Sequence, residues 1–334
     1  MKKVAEFLLF LLGLFLFYLV IRGIEASPLQ ILLPVLGKSI WILFAVYPLM
    51  CVWDVIAWKT AFGSVWARQI RLVELFSLRL AGEAVNNVTP VFDVGGEPLK
   101  ALLASKRFNI PMPAALAASV VGRTALFLSE IIFMLIGASA ALFFTDIPGT
   151  WRWIFFGCII VFVTAALFFF AMQKKGFFGI ISKIFNGIRR RPALAERLHV
   201  SSQTIDDEIR SFYKNEPRRF AASVLFHFIG WVLGSFEMAL IFYLLGKPIN
   251  LGQAFLLESL LQLVRTASFF IPGNLGTQEA GLALLTFWIG YAPAVGVAVS
   301  LLKRLRQIFW TGIGFGLWGI YQLKRMMKPD KAQQ

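Results

Sequence analysis

Residues 86–98 read Asn86-Asn87-Val88-Thr89-Pro90-Val91-Phe92-Asp93-Val94-Gly95-Gly96-Glu97-Pro98, and residues 269–279 read Phe269-Phe270-Ile271-Pro272-Gly273-Asn274-Leu275-Gly276-Thr277-Gln278-Glu279. Each interrupts a longer apolar stretch, about 73–107 and 254–290, with proline, glycine and polar side chains near its middle. Lipid cannot hydrogen-bond the backbone that such a break frees, so irregular chain at membrane depth is tolerated only inside protein or beside water. Both breaks are therefore candidate sites, and their threading decides the fold.

The surroundings are those of an integral membrane protein. Of 334 residues 58% are hydrophobic and 15% charged, with a mean hydropathy of +0.73, far from the composition of soluble domains. Apolar runs long enough to cross lie at about 4–21, 40–58, 113–144, 153–172 and 220–245, and a sixth at 294–323 is interrupted by Lys303, Arg304 and Arg306. The first follows Lys2 and Lys3 like a signal peptide, but it is too long for a cleaved core and suits a retained span. The excess of 33 basic over 18 acidic residues belongs in loops facing anionic lipid, which makes nucleic acid a poor partner. Cys51, Cys158, His199 and His227 are too scattered to suggest a metal site or a disulfide framework. No phosphate loop, nucleophile elbow or other cofactor motif is present.

Loop charge then discriminates between threadings. If each broken stretch enters and leaves on one side, Lys2, Lys3, Lys59, Arg68, Arg71, Lys100, Lys106, Arg107, the basic segment 174–219 and the tail share that side. Only Arg22, Lys38, Arg152 and Lys247 face the other. If each stretch crosses once, the most basic loop is placed outside, against the positive-inside rule. The expected fold is all-α and polytopic, with about six transmembrane helices, two re-entrant helical hairpins and both termini cytoplasmic. Within 174–219, Leu194, Leu198, Ile205, Ile209 and Phe212 are spaced as one apolar face of an amphipathic helix lying on the inner leaflet.

The two breaks also match in spacing. Glu97 follows Pro90 by seven positions and Glu279 follows Pro272 by seven; Arg123 lies 26 beyond Glu97 and Arg304 lies 25 beyond Glu279. A serine stands four before each arginine, at Ser119 and Ser300. The pattern predicts a duplicated unit, residues 1–146 and 150–325, with a short tail at 326–334. Each unit holds two crossings, a hairpin and a third crossing. Three is odd, so the second unit is inverted, as in transporters whose sites form at interrupted helices near the midplane.

Charges within the apolar segments are the leading candidates. Arg123 and Arg304 need a partner or water at that depth. Either each pairs with a carboxylate (Glu130, Glu97 or Glu279), or together they grip a lipid phosphate. Glu97 and Glu279 stand where helices restart. They either stabilise the positive helix end or bind a proton, a cationic headgroup or an arginine. Asn87, Asn274 and Gln278 supply neutral hydrogen bonds to a headgroup or to freed backbone. Pro90, Gly95, Gly96, Pro272, Gly273 and Gly276 form the breaks. Arg79, Glu83, Glu237, Glu258 and Arg265 are secondary candidates, as is Glu130.

The stretches Pro90–Lys100, Val120-Val121-Gly122-Arg123-Thr124 and Pro272–Gly281 resemble signature segments of the lysylphosphatidylglycerol synthase transmembrane, or flippase-like, family over nearly the whole chain. The resemblance implies a translocator module that, in fused members, precedes a soluble aminoacyl-transferase domain. Here the chain ends soon after Leu323, so lysyl transfer does not carry over. Stand-alone relatives are associated with hopanoid production or with polyprenyl-lipid pathways.

The expected function is a bacterial inner-membrane lipid translocator without cofactor or metal. Its partners are membrane lipids of anionic phospholipid, hopanoid or polyprenyl type, and a separate lipid-synthesis enzyme. The alternatives are a membrane-embedded transferase using Glu97 or Glu279 as general base, and a non-catalytic scaffold for such an enzyme. In a further alternative, all the buried charges form a structural network.

Overall fold

The computed structural model describes residues 28–37, 39–89, 95–141, 148–175 and 192–326, with Phe15, Tyr18 and Arg22. The expected first crossing, Pro90, most of the basic loop before residue 192 and the tail lie outside the described residues, as does the side chain of Pro272. Every described element is helical: α1 (Pro28–Leu32), α2 (Ile40–Ala61), α3 (Gly63–Ala67), α4 (Leu72–Val88), α5 (Glu97–Phe108), α6 (Met112–Ala141), α7 (Gly149–Lys175), α8 (Pro192–Asn215), α9 (Pro217–Leu244), α10 (Leu251–Ala267), a 3-10 turn (Pro272–Asn274), α11 (Thr277–Trp288) and α12 (Pro293–Met326).

Four of these helices, α2, α6, α7 and α9, are long and apolar enough to cross a membrane, the described part of α7 being measured to Gln173. Such helices are apolar around their whole circumference, the signature of a lipid-facing or fully enclosed element. Their outer faces expose Trp41, Leu49 and Val52 on α2 and Trp153, Ile160, Val161 and Phe168 on α7. In water an apolar surface this continuous marks an interaction site; here it matches hydrocarbon. At 34 residues and about 1.5 Å per residue, α12 is also long enough, but its charges keep it out of that apolar set.

Both sequence breaks are helix breaks. α4 ends at Val88 and α5 restarts at Glu97, with Pro98 in its first turn, where a missing N–H costs nothing. The two helices lie against each other through glycine. A Cβ on Gly96 would sit 2.0 Å from the Gly82 carbonyl oxygen, and the Gly96 N–H donates to Asn86 Oδ1 at 2.5 Å. The second break turns through Gly273, Asn274 and Gly276, all at positive φ, and α11 returns along α10 with Gly281 against Val264.

Packing crosses between the halves of the chain. α2 lies along α9; α4, the first arm of the first hairpin, packs on α12; α10, the first arm of the second, packs on α6. Close glycine contacts set both of the latter: Gly314 against the Leu80 carbonyl and Ala84, and Gly137 against Ser259. Polar hooks reinforce them. Asn87 donates to Thr311 Oγ1 at 2.8 Å and accepts from Gln307 at 2.9 Å. Glu130 accepts from Gln262 at 2.9 Å and Thr266 at 2.8 Å. α8 departs from the expected resting place on lipid: Ile205, Ile209 and Phe212 are buried against Ala117 and Val121 of α6 and Ala61 of α2. These small side chains leave a groove in which three large ones bury more apolar area than a wet headgroup surface offers.

Candidate functional site

The charges that the sequence places in apolar segments gather into two groups with different degrees of saturation. At the second hairpin, Arg304 of α12 makes four hydrogen bonds. Its Nε donates to Glu279 Oε1 at 2.5 Å and its Nη2 to Glu279 Oε2 at 3.1 Å, while Nη1 and Nη2 donate to the carbonyls of Gly273 and Asn274, each at 3.1 Å. Glu279 is completely enclosed and also accepts from Ser300 Oγ at 2.7 Å and from the Gly276 N–H at 2.8 Å. Gln278 donates to Ser300 Oγ at 2.8 Å. A helix-start carboxylate and an arginine partner, two readings of Glu279, are thus one arrangement, which pins the hairpin turn to α12.

Next to it, α12 carries two more cations into the bundle. Lys303 Nζ donates to Glu258 Oε2 of α10 at 2.5 Å, with Glu237 of α9 at 3.9 Å, and Arg306 pairs with Glu237. The Arg306 guanidinium lies 4.6 Å from the ring centre of Tyr47. Buried pairs of this kind are expensive to assemble and more expensive to break on one side only.

The first hairpin is arranged otherwise. Glu97 pairs with Lys100 on its own helix at 3.0 Å, and the Lys100 ammonium sits 4.7 Å over the Trp58 ring. Glu97 Oε2 is buried without a partner. Arg123 makes no ion pair or hydrogen bond among the described residues; its Nε is buried and unpartnered, and its guanidinium lies 4.7 Å over Phe127, one turn along α6. On α10, away from this group, Arg265 Nε is also buried without a partner among the described residues. Opposite Arg123, Arg79 donates to Asp54 Oδ2 at 2.8 Å, Cys51 Sγ at 2.9 Å and Tyr47 Oη at 3.3 Å, with Glu83 at 3.8 Å. Asp54 Oδ1 meets His227 Nδ1 at 3.2 Å.

These groups surround a narrow cleft of about 50 Å³ between α2, α4, α5, α6 and α9, with Arg123, Lys100, Arg79, Glu97, Glu83, Asp54 and His227 in its wall. Arg123 lies eleven residues into α6, about 17 Å from the helix start, inside the apolar span. Toward the end of α2 a wider cavity of about 520 Å³ opens among Lys59, Arg68 and Arg219, with Thr60 and Ser64. At its edge Glu216, at the corner between α8 and α9, accepts from Ser64 Oγ at 2.5 Å and from the Ser64 N–H at 2.9 Å. The Ser64 hydroxyl, then its amide, holds this carboxyl below the usual carboxylate range.

Family comparison gives the chain its place. The model of the lysylphosphatidylglycerol synthase TM region matches residues 4–316. The chain belongs to that family. It is also similar to a UPF0104 membrane protein of Methanothermobacter thermautotrophicus, 25% identical over 264 residues and covering 74% of each chain. A UPF0104 membrane protein of Pyrococcus horikoshii is 26% identical over 257 residues, 73% of this chain and 74% of the relative. No solved structure matches it. This is a multi-pass membrane protein of that family.

Of the residues singled out from sequence, Arg123, Glu97, Arg79 and Glu83 meet in the cleft, while Arg304, Glu279, Gln278, Asn274, Gly273 and Gly276 form the separate clamp. Asn87 and Glu130 join helices of opposite halves. The sequence reading did not count Asp54, His227 or Lys100 among the site residues. A lone histidine inside an apolar run was itself a signal, because ionisable groups at membrane depth default to function.

Proposed function

We propose that the protein is a lipid translocator of the bacterial cytoplasmic membrane and that the Arg123 cleft receives an anionic headgroup. One observation carries the reading: a guanidinium within an apolar span, in the wall of a protein-lined cleft, that makes no ion pair among the described residues. Such a group costs about 2.5–3.5 kcal/mol on insertion scales, and a planar fork of donors suits a phosphate. The match of the chain to the lysylphosphatidylglycerol synthase TM region, a membrane module named for a lipid synthase, supports the same reading. In this proposal six crossings and two re-entrant hairpins form an inverted repeat, with both termini cytoplasmic. The reciprocal packing of each hairpin's first arm on the other half's last helix supports that symmetry. The wide basic cavity at the end of α2 then faces the cytoplasm and collects headgroups, while the tails stay in lipid. The narrow cleft accommodates a headgroup only when Lys100 leaves Glu97 and Trp58, which makes the first hairpin the moving part. The saturated Arg304 clamp is structural here.

Native mass spectrometry of the detergent-purified protein tests this. The wild type should retain one anionic lipid class that Arg123→Gln loses while remaining folded, and the same variant should stop lipid movement in reconstituted vesicles. Unchanged retention and transport in the variant would overturn the assignment.

A further inference from the structure

His227, which is buried, and Asp54, which is half-buried, form a pair that the headgroup reading leaves unused. A nitrogen 3.2 Å from a carboxylate oxygen is placed to donate to it, and in the neutral ring Nε2 then presents its lone pair. Nε2 is buried and has no hydrogen-bond partner among the described residues, and the ring lines the cleft that holds Arg123. A buried acceptor left without a donor is destabilising, and a donor brought by a ligand or a proton relieves it.

The charges facing the ring come from every wall of the cleft. Asp54 stands on α2, Arg79 and Glu83 on α4, Glu97 and Lys100 on α5, and Arg123 on α6. Three carboxylates and three cations balance while the imidazole is neutral. Farther along, Glu237 on the ring's own helix is matched by Arg306 of α12, and Glu258 of α10 by Lys303 of α12. A phosphodiester entering this balanced, weakly solvated space brings one uncompensated negative charge. Among the groups of the wall, His227 adds an imidazole nitrogen that is unpartnered among the described residues and is able to take up a proton.

We infer that His227, oriented by Asp54, is a proton site that fills when a phosphodiester enters the cleft, so that headgroup binding takes up one proton. The protonated ring then offers Nε2–H as a second donor opposite the Arg123 guanidinium, and Asp54 holds the resulting imidazolium. This inference rests on the headgroup reading of the cleft and adds the coupled ion to it.

Isothermal calorimetry on the purified full chain tests it, with short-chain phosphatidylglycerol as probe. This phosphodiester stays singly charged throughout the range used. Its deacylated headgroup, glycerophosphoglycerol, serves as a second probe that separates a lipid ligand from a soluble one. Titrations at pH 7.5 in two buffers of different ionisation heat count protons, and titrations from pH 5.5 to 8.5 follow affinity. The wild type should take up close to one proton, with affinity falling up to tenfold per pH unit at the alkaline end. In His227→Asn the side-chain amide can still donate to Asp54, and the proton count should drop to zero with a flat pH profile. Binding without proton uptake in the wild type, or uptake that persists in the variant, overturns the inference and leaves the headgroup reading standing. Absence of binding by either probe at every pH removes both. Should the variant fail to fold, the wild-type proton count alone decides.

Discussion

Arg123 and Arg304 occupy matching places in the sequence, yet their replacement should have opposite physical consequences. Arg304→Gln removes both bonds to Glu279 and the two bonds to the Gly273 and Asn274 carbonyls. It leaves a fully enclosed carboxylate with Ser300 and one backbone N–H as its donors. Breaking a buried pair from one side costs about 3–5 kcal/mol. At about 2 °C per kcal/mol for a chain of this size, that is a fall of roughly 6–10 °C in Tm, read by tryptophan fluorescence in detergent. Arg123→Gln breaks no ion pair or hydrogen bond among the described residues, so its Tm should stay within about 2 °C of the wild type. The double variant Arg304→Gln with Glu279→Gln should recover at least half of the loss, since no lone charge remains. Equal losses for the two arginines, or a double variant no better than Arg304→Gln alone, would refute the asymmetry on which the functional assignment stands.

Helix contact and pH supply two further tests. A Cβ at Gly314 would lie 2.4 Å from the Leu80 backbone oxygen, whereas nothing lies within 4 Å of one at Gly316. Gly314→Ala should therefore destabilise by about 1–3 kcal/mol, and Gly316→Ala should be neutral or stabilising by about 0.5–1 kcal/mol, both measured by thermal unfolding. The Glu216 carboxyl is lowered by its bonds to Ser64, so its contribution is present above the unfolded value, near 4.5, and lost as pH falls through the lower folded value. Hydrogen exchange at the Ser64 amide, corrected for intrinsic rate, should lose protection in that acid window. In Glu216→Gln the protection at neutral pH should be weaker and the acid dependence gone.

Much of the architecture was legible because membrane helices are written in long apolar runs, and α2, α6, α7 and α9 fall where those runs predict them. The breaks were legible too, since Pro98 and the positive-φ turn at Gly273, Asn274 and Gly276 carry their conformations in their residue types. Pairing was not. Glu97 and Glu279 share a spacing to proline and to arginine, but Glu97 turns to Lys100, three residues on, while Glu279 reaches α12. That choice depends on where α12 and α5 sit, which local pattern does not encode. The apolar face of α8 was visible as an amphipathic period. Its target was hidden, because a helix surface and a lipid surface ask for the same spacing, and the small side chains Ala61, Ala117 and Val121 that receive it lie elsewhere in the chain.

The order in which partners occur along the chain has a consequence for how the protein is made. Lys303, Arg304 and Arg306 all lie on the last described helix, and the carboxylates they meet, Glu258, Glu279 and Glu237, all precede it. A segment with three cations this close together does not partition into hydrocarbon by itself. During synthesis, however, the three acids have already left the ribosome when α12 emerges. Nascent chains stopped before residue 293 therefore expose unpaired acids to quality control, and completion of α12 neutralises them in a single late docking step.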